Sequence, residues 1–323
     1  LPDRQIIRAL FESLSRFQAR ICRIKLNYIS GAEGRLCPRF LKMSHWQTSK
    51  RKLLLDRPLV MAILNVTPDS FSDGGKFADR DSALKQAEKL ISEGADILDI
   101  GGESTRPGSE RVSAEVEIAR VVPVIEAITS RFDTPISIDT TKAVVAQTAV
   151  EAGAEIINDI SGLRFDASIA DVAAKNVTGL VLMHSRGEFE TMHSQPPVDD
   201  IMVDVAADFR RAITAAEVSG VRHESIVLDI GIGFGKTLEQ NLELLAKLDK
   251  LVLEFDKYPL LVGTSRKSFI GKVLDGAPPN ERLSGSLASV AIAVWNGAKI
   301  VRVHDVKETA ESLRVVNEIR SQL

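Results

Sequence analysis

The chain has 323 residues, 44% hydrophobic and 26% charged, with a formal net charge of −3. That length holds one large core, since a single α/β barrel takes about 250 residues. A charge so near neutrality gives no sign of a nucleic-acid partner, and no apolar run reaches the roughly 18 residues of a membrane span.

The first segment differs from the rest. Residues 1–43 hold nine Lys/Arg and three Asp/Glu, and both cysteines, Cys22 and Cys37, fall there. Ile7, Leu10, Leu14, Phe17, Ile21, Ile24 and Tyr28 recur every three or four residues, with Arg4, Arg8, Arg16, Arg20 and Arg23 mostly off that stripe. The spacing predicts a basic amphipathic helix. Residues 1–50 are therefore read as an N-terminal extension. Three readings stay open: a targeting or membrane-surface helix, a helix that docks on the main domain or in an oligomer, and a non-native addition ahead of Met43. The remaining chain, 51–323, has no cysteine. It can build neither a disulfide framework nor a thiolate metal site, which suits a reducing, cytoplasmic setting.

From Pro58 onward, short Val/Ile/Leu-rich runs alternate with amphipathic stretches. The runs are 59–65, 95–101, 135–139, 154–160, 179–184, 225–231, 259–264 and 298–304. They mostly do not alternate in polarity, as expected of strands buried on both faces. The helical stretches are 79–93, 113–130, 141–152, 167–175, 201–219, 237–250, 281–297 and 307–320, and Gly94, Gly153, Gly220 and Gly297 sit in helix-stop positions. The pattern predicts a (β/α)8 TIM barrel for 51–323.

Active sites of such barrels lie at the C-terminal ends of the strands, and nearly every run here ends in polar residues. The first ends in Asn65, then Thr67-Pro68-Asp69-Ser70. The second runs into Gly101-Gly102-Glu103-Ser104-Thr105-Arg106-Pro107-Gly108. The others end at Asp139, Asn158-Asp159, His184, Asp229, Ser265-Arg266-Lys267-Ser268 and Arg302-Val303-His304. Taken singly, an Asp or Asn at a strand end is more often a helix cap, and His184 reads equally well as a core histidine. Invoked eight times on one face, that account weakens. Carboxylates can accept two parallel hydrogen bonds from an N–C–NH2 edge, so Asp139, Asn158, Asp229 and Lys267 suit a flat heterocycle. Arg302 and His304 are two apart and share a side, near where barrels often hold phosphate. Asn65 can offer an oxygen to Mg2+. The substrate implied is a hydrogen-bonding heterocycle with an anionic leaving group.

These residues resemble a known family. Leu64-Asn65-Val66-Thr67-Pro68-Asp69-Ser70-Phe71-Ser72-Asp73-Gly74-Gly75 and Asp99-Ile100-Gly101-Gly102-Glu103-Ser104-Thr105-Arg106-Pro107-Gly108 resemble the two signatures of dihydropteroate synthases. Ser137–Thr140, Ile157–Ile160, Gly231–Lys236, Ser265–Ser268 and Arg302–Asp305 continue the match in order over about 55–320. The resemblance implies joining of a pterin pyrophosphate to p-aminobenzoate. It places Asp139, Asn158, Asp229 and Lys267 on the pterin, and Asn65, Arg302 and His304 on the pyrophosphate, with Mg2+ at Asn65 and Asp69 as a further ligand. Catalysis would rest on Asn65, Lys267, Arg302 and His304. Phe71, Thr105, Arg106, Pro107, Lys267 and Ser268 would form the p-aminobenzoate pocket, where sulfonamides compete in this family. It also implies a homodimer through the last barrel helices. Two departures stand out: Ile230 replaces the family's usual Pro, which would loosen that turn, and Ser185 stands where an apolar residue is common. The alternatives are a methyltetrahydrofolate-using methyltransferase domain, which would not need Arg302 and His304, and a non-catalytic pterin-binding barrel.

Overall fold

The computed structural model describes residues 45–67, 76–105 and 108–322. An antiparallel hairpin comes first, β1 (His45–Gln47) and β2 (Lys52–Leu54), with Trp46 opposite Leu53. The strands β3 (Leu59–Asn65), β4 (Ile97–Gly101), β5 (Ile136–Asp139), β6 (Ile156–Asp159), β7 (Gly179–Met183), β8 (Ile226–Asp229), β9 (Leu260–Val262) and β10 (Ile300–Val303) follow. They close into one barrel in which β10 pairs with β3, and every pairing is parallel. The helices between them are α1 (Lys76–Ser92), α2 (Ala114–Thr129), α3 (Ala143–Glu151), α4 (Ser168–Asn176), α5 (Ile201–Val218), α6 (Leu238–Ala246), α7 (Leu248–Glu254), α8 (Ser268–Val273), α9 (Leu283–Trp295) and α10 (Val306–Arg320).

The predicted elements are present with small shifts. The helix expected over 237–250 is broken at Lys247, and α8 was not expected. Gly94, Gly153, Gly220 and Gly297 all have positive φ, between 95° and 118°, the left-handed turn that ends a helix. Helix starts are capped by polar side chains: the Asp200 carboxylate accepts from the Met202 and Val203 amides, and Thr237 with Gln240 forms a capping box.

Strand side chains alternate between two cores. Val60, Ala62, Leu64, Leu98, Ile100, Ile157, Leu228, Val301 and Val303 face the helices in the larger core. Leu59, Met61, Ile97, Ile156, Val181, Val227, Leu261 and Ile300 fill the lower barrel interior together with Trp46 and Leu55. Trp46 is fully buried, and its indole N–H donates to the Ser225 carbonyl at 2.8 Å. Gly179 makes room for it: a Cβ there would lie 3.0 Å from the indole. Arg51 then clasps the Glu155 carboxylate with two bonds of 3.1 and 2.8 Å.

Trp46, within the stretch 1–50 read as an extension, thus packs into the floor of the barrel. The amphipathic stretch before Met43 lies outside the described residues.

Candidate active site

Moving two residues up each strand from the apolar floor carries the inward positions to the mouth. Ile97 leads to Asp99 and Gly101, Ile156 to Asn158, Val227 to Asp229, and Ile300 to Arg302. Strand register sets them level: Asn65 pairs with Gly101, Gly101 with Asp139, and Asp139 with Asn158. Gly101 leaves this row open, since a Cβ there would sit 3.5 Å from the Asn65 carboxamide oxygen and 3.6 Å from the Asp139 Cβ.

Arg302 organises the row. Its Nε donates to Asp99 Oδ2 and its Nη2 to Asp139 Oδ2, each at 2.6 Å. Asn158 donates to the same Asp99 oxygen at 3.2 Å. Arg302 of the expected anion grip is therefore bonded directly to Asp139 of the heterocycle grip and linked through Asp99 to Asn158. Asp99 was not singled out from the sequence. It is fully buried, and its Oδ1 has no partner among the described residues. Reading inward positions by period two from Ile97 finds it, whereas reading only strand ends passes over it. Burial works against the Arg302 charge, but Asp99 and Asp139 outweigh it, so Arg302 stays a cation beyond its ordinary range. The Asp139 carboxyl is raised: burial dominates, Arg302 opposes, and Asp99 and Glu117 add to the rise.

Asp229 and Lys267 form the next part of the mouth. Asp229 Oδ1 accepts from the Gly231 amide at 2.8 Å. Burial raises its pKa, and Lys267 opposes that rise. The Lys267 ammonium donates to the Ile232 carbonyl and lies 4.8 Å from the Phe234 ring centre. Burial pulls its pKa down to about 8, with Asp229 holding it up. The turn after β8 is braced despite the missing Pro. Ile230 is fully buried in the main core. Gly231 has φ of 61°, and a Cβ there would meet the His184 carbonyl at 1.8 Å, so only glycine fits. Lys236 donates to the carbonyls of Gly231 and Phe234 at 2.7 and 3.0 Å; burial lowers its pKa to about 7.

His304 lies two residues beyond Arg302, and its amide and Nδ1 are each 3.2 Å from Ser265 Oγ. Ser268 is exposed at the start of α8. Arg266, at φ 59°, pairs with Asp305 across 3.0 Å from its Nε. His184 does not join the mouth. It is buried, its Nε2 lies 3.2 Å from Asp204 of α5, and burial lowers its pKa to about 4. The core reading is the correct one. Ser185 is explained by Arg164, whose guanidinium donates to its hydroxyl at 2.6 Å; an apolar side chain there would leave that buried donor unmet. Phe71, Arg106 and Pro107 lie outside the described residues, as does Asp69.

The loop after β4 is rooted by charge. Lys142 donates to Glu117 at 2.6 Å and to Glu103 at 3.0 Å, and Glu103 also accepts the Val112 amide at 2.7 Å. Beyond it, the Thr105 carbonyl is 2.7 Å from His193 Nε2. Neither Lys142 nor His193 carries a motif signal of its own, so sequence reasoning missed both.

The donor set can be tested against Mg2+. Among the described residues there is no cluster of three His, Cys, Asp or Glu able to hold a metal. Mg2+ needs none when it rides on a substrate diphosphate, since it is often bound through one or two protein oxygens plus phosphate and water. The Asn65 carboxamide oxygen, on the open row, fits that role.

The chain matches the family of pterin-binding enzymes over residues 61–304. It is 49% identical to the dihydropteroate synthase of Escherichia coli over 264 residues, covering 81% of this chain and 92% of that protein. Its fold superposes with a TM-score of 0.80 on the Yersinia pestis dihydropteroate synthase in complex with a sulfonamide drug, at 46% identity, covering 86% of this chain and all of that one. The Burkholderia cenocepacia enzyme complexed with 7,8-dihydropteroate gives 0.77 at 42% identity, covering 86% and 97%. The chain belongs to the dihydropteroate synthase family.

Proposed function

We propose that this protein condenses 6-hydroxymethyl-7,8-dihydropterin pyrophosphate with p-aminobenzoate, giving 7,8-dihydropteroate and pyrophosphate. The observation that carries this reading is the single network in which Arg302 joins Asp99 and Asp139 in a row with Asn158 and Asn65. It puts a cation for a diphosphate against acceptors for a heterocycle edge.

Asp139, Asn158 and Asp229 take the pterin N–H groups, and Lys267 donates to its ring acceptors. Arg302 has donors beyond the two it gives to the carboxylates, and these with His304 bind the diphosphate. The C–O bond from the pterin methylene to the diphosphate breaks, and its electron pair leaves with pyrophosphate. The p-aminobenzoate nitrogen attacks the methylene carbon and then loses a proton to water. No covalent enzyme intermediate is needed; positioning and electrostatic stabilisation supply the rate. Asn65 would hold Mg2+, which when bound offsets diphosphate charge. Of the residues that the family resemblance assigns to the p-aminobenzoate pocket, Thr105, Lys267 and Ser268 lie among the described residues and would line it.

The protein acts in the cytoplasm as a homodimer. Ile292 and Trp295 on α9 and Val315 and Ile319 on α10 are large apolar side chains left exposed on two neighbouring helices, a pattern that a second copy would cover.

The test supplies purified protein with pterin pyrophosphate, p-aminobenzoate and Mg2+ and follows pyrophosphate release. Release should depend on p-aminobenzoate and fall sharply in Asn65→Ala and Arg302→Ala. Turnover without that dependence, or variants equal to wild type, would overturn the reading.

A further inference from the structure

His193 lies between β7 and α5, in a segment that folds back on itself and is also held from outside by Arg164, which donates to the Gly187 carbonyl at 2.8 Å. There Thr191 bonds back to Glu188, and Gln195 and Ser194 bond to the Thr191 carbonyl. The imidazole nonetheless reaches out of this turn. Its Nε2 is 2.7 Å from the Thr105 carbonyl, 88 positions away in the chain. A carbonyl only accepts, so Nε2 carries the proton and donates. With the proton on Nε2, Nδ1 has none to give, so its 3.4 Å approach to the Gly233 carbonyl is a packing contact and not a hydrogen bond; the ring packs at 5.3 Å, tilted by 33°, against Phe234.

Gly233 and Phe234 back Lys267. The ammonium is 4.8 Å from the Phe234 ring centre, and a Cβ on Gly233 would touch the lysine Cδ at 3.3 Å. One partly buried imidazole thus contacts the loop after β4 and the loop after β8 while belonging to the loop after β7.

We propose that His193 is a positioning residue for the aromatic-amine side of the site, fastening the loop after β4 at Thr105 to the Gly233–Phe234 wall beside Lys267. The inference rests on the proposed reading of that loop as part of the p-aminobenzoate pocket. It acts through Thr105 and Phe234 and touches no reacting atom. A donor is what the contact requires, so glutamine can stand in for histidine and leucine cannot.

The test compares His193→Leu and His193→Gln with wild type in the full chain by two readouts. The first is amide hydrogen exchange in the peptide that includes 101–105, without substrate. Exchange should quicken about fivefold in His193→Leu, the size that loss of one net hydrogen bond supports, and return toward wild type in His193→Gln. The second is steady-state kinetics. The KM for p-aminobenzoate should rise by a similar factor in His193→Leu and recover in His193→Gln, with the KM for pterin pyrophosphate and the thermal midpoint unchanged. Unchanged exchange, an equal rise in both KM values, or a glutamine variant as impaired as leucine overturns the proposal. Failure of the proposed reaction itself would show as a wild type without p-aminobenzoate-dependent pyrophosphate release, and the exchange readout does not depend on that result.

Discussion

Asp99→Asn is the sharpest probe of the Arg302 network. The substitution keeps the shape and removes one negative charge from a fully buried position. Two donors converge on Asp99 Oδ2, Arg302 Nε at 2.6 Å and Asn158 Nδ2 at 3.2 Å. An amide oxygen can still accept there, but a bond to a charged acceptor is roughly twice as strong as a neutral one. Weakening the Arg302 bond from the charged to the neutral range loses about 1 to 2 kcal/mol, and the Asn158 bond adds to that. A loss of about 2 kcal/mol corresponds to roughly thirtyfold in kcat/KM. A second consequence concerns Asp139. Asp99 helps to raise the Asp139 carboxyl, so removing its charge moves the Asp139 titration to lower pH. The acid limb of the pH profile should shift downward with it. The assay is pyrophosphate release measured across pH, with a melting curve to establish that the variant is folded. A folded Asp99→Asn enzyme within threefold of wild type, with an unmoved acid limb, would refute the view that Asp99 holds Arg302 in its working position.

Trp46→Ala should lower stability by about 3 to 5 kcal/mol from the cavity and lost burial, with the Ser225 carbonyl also losing its donor. A drop of roughly 10 °C in melting temperature is expected, with activity retained at low temperature because the floor is remote from the mouth; a shift under about 3 °C counts against the plug. Lys267, with its pKa at about 8, loses its charge as pH rises through that value. kcat/KM should therefore fall above about pH 8, and Lys267→Arg should abolish that limb whatever its effect on the plateau. The same lowered pKa means the unfolded state binds more protons between pH 8 and the ordinary lysine value of 10.5, so stability without substrate should gain from Lys267 as pH rises through that window, as read in melting curves of wild type against Lys267→Met. Light scattering should give a two-chain mass for wild type and a one-chain mass for Ile292→Glu with Val315→Glu.

Local chemistry is legible in one dimension. The Val/Ile/Leu runs marked the eight barrel strands because burial on both faces demands apolar residues at every position. Gly94, Gly153, Gly220 and Gly297 marked helix ends because only glycine takes positive φ cheaply. Asn65, Asp139, Asn158, Asp229, Lys267 and Arg302 were legible as a group because strand ends of a barrel converge. What stayed hidden is whatever depends on partners distant in the chain. Trp46 looked like part of an extension, since its partner Ser225 is 179 positions away. His184 stayed open between the mouth and the core until its contact with Asp204 of α5, 20 positions on, was seen. Asp99 sat inside an apolar run, and only closure of the barrel brought it to Arg302, 203 positions on. The sequence by itself determined the barrel, the level of its polar ring and the family. Tertiary structure alone decided which charges meet, because an ion pair depends on distances of a few ångströms that chain order does not encode.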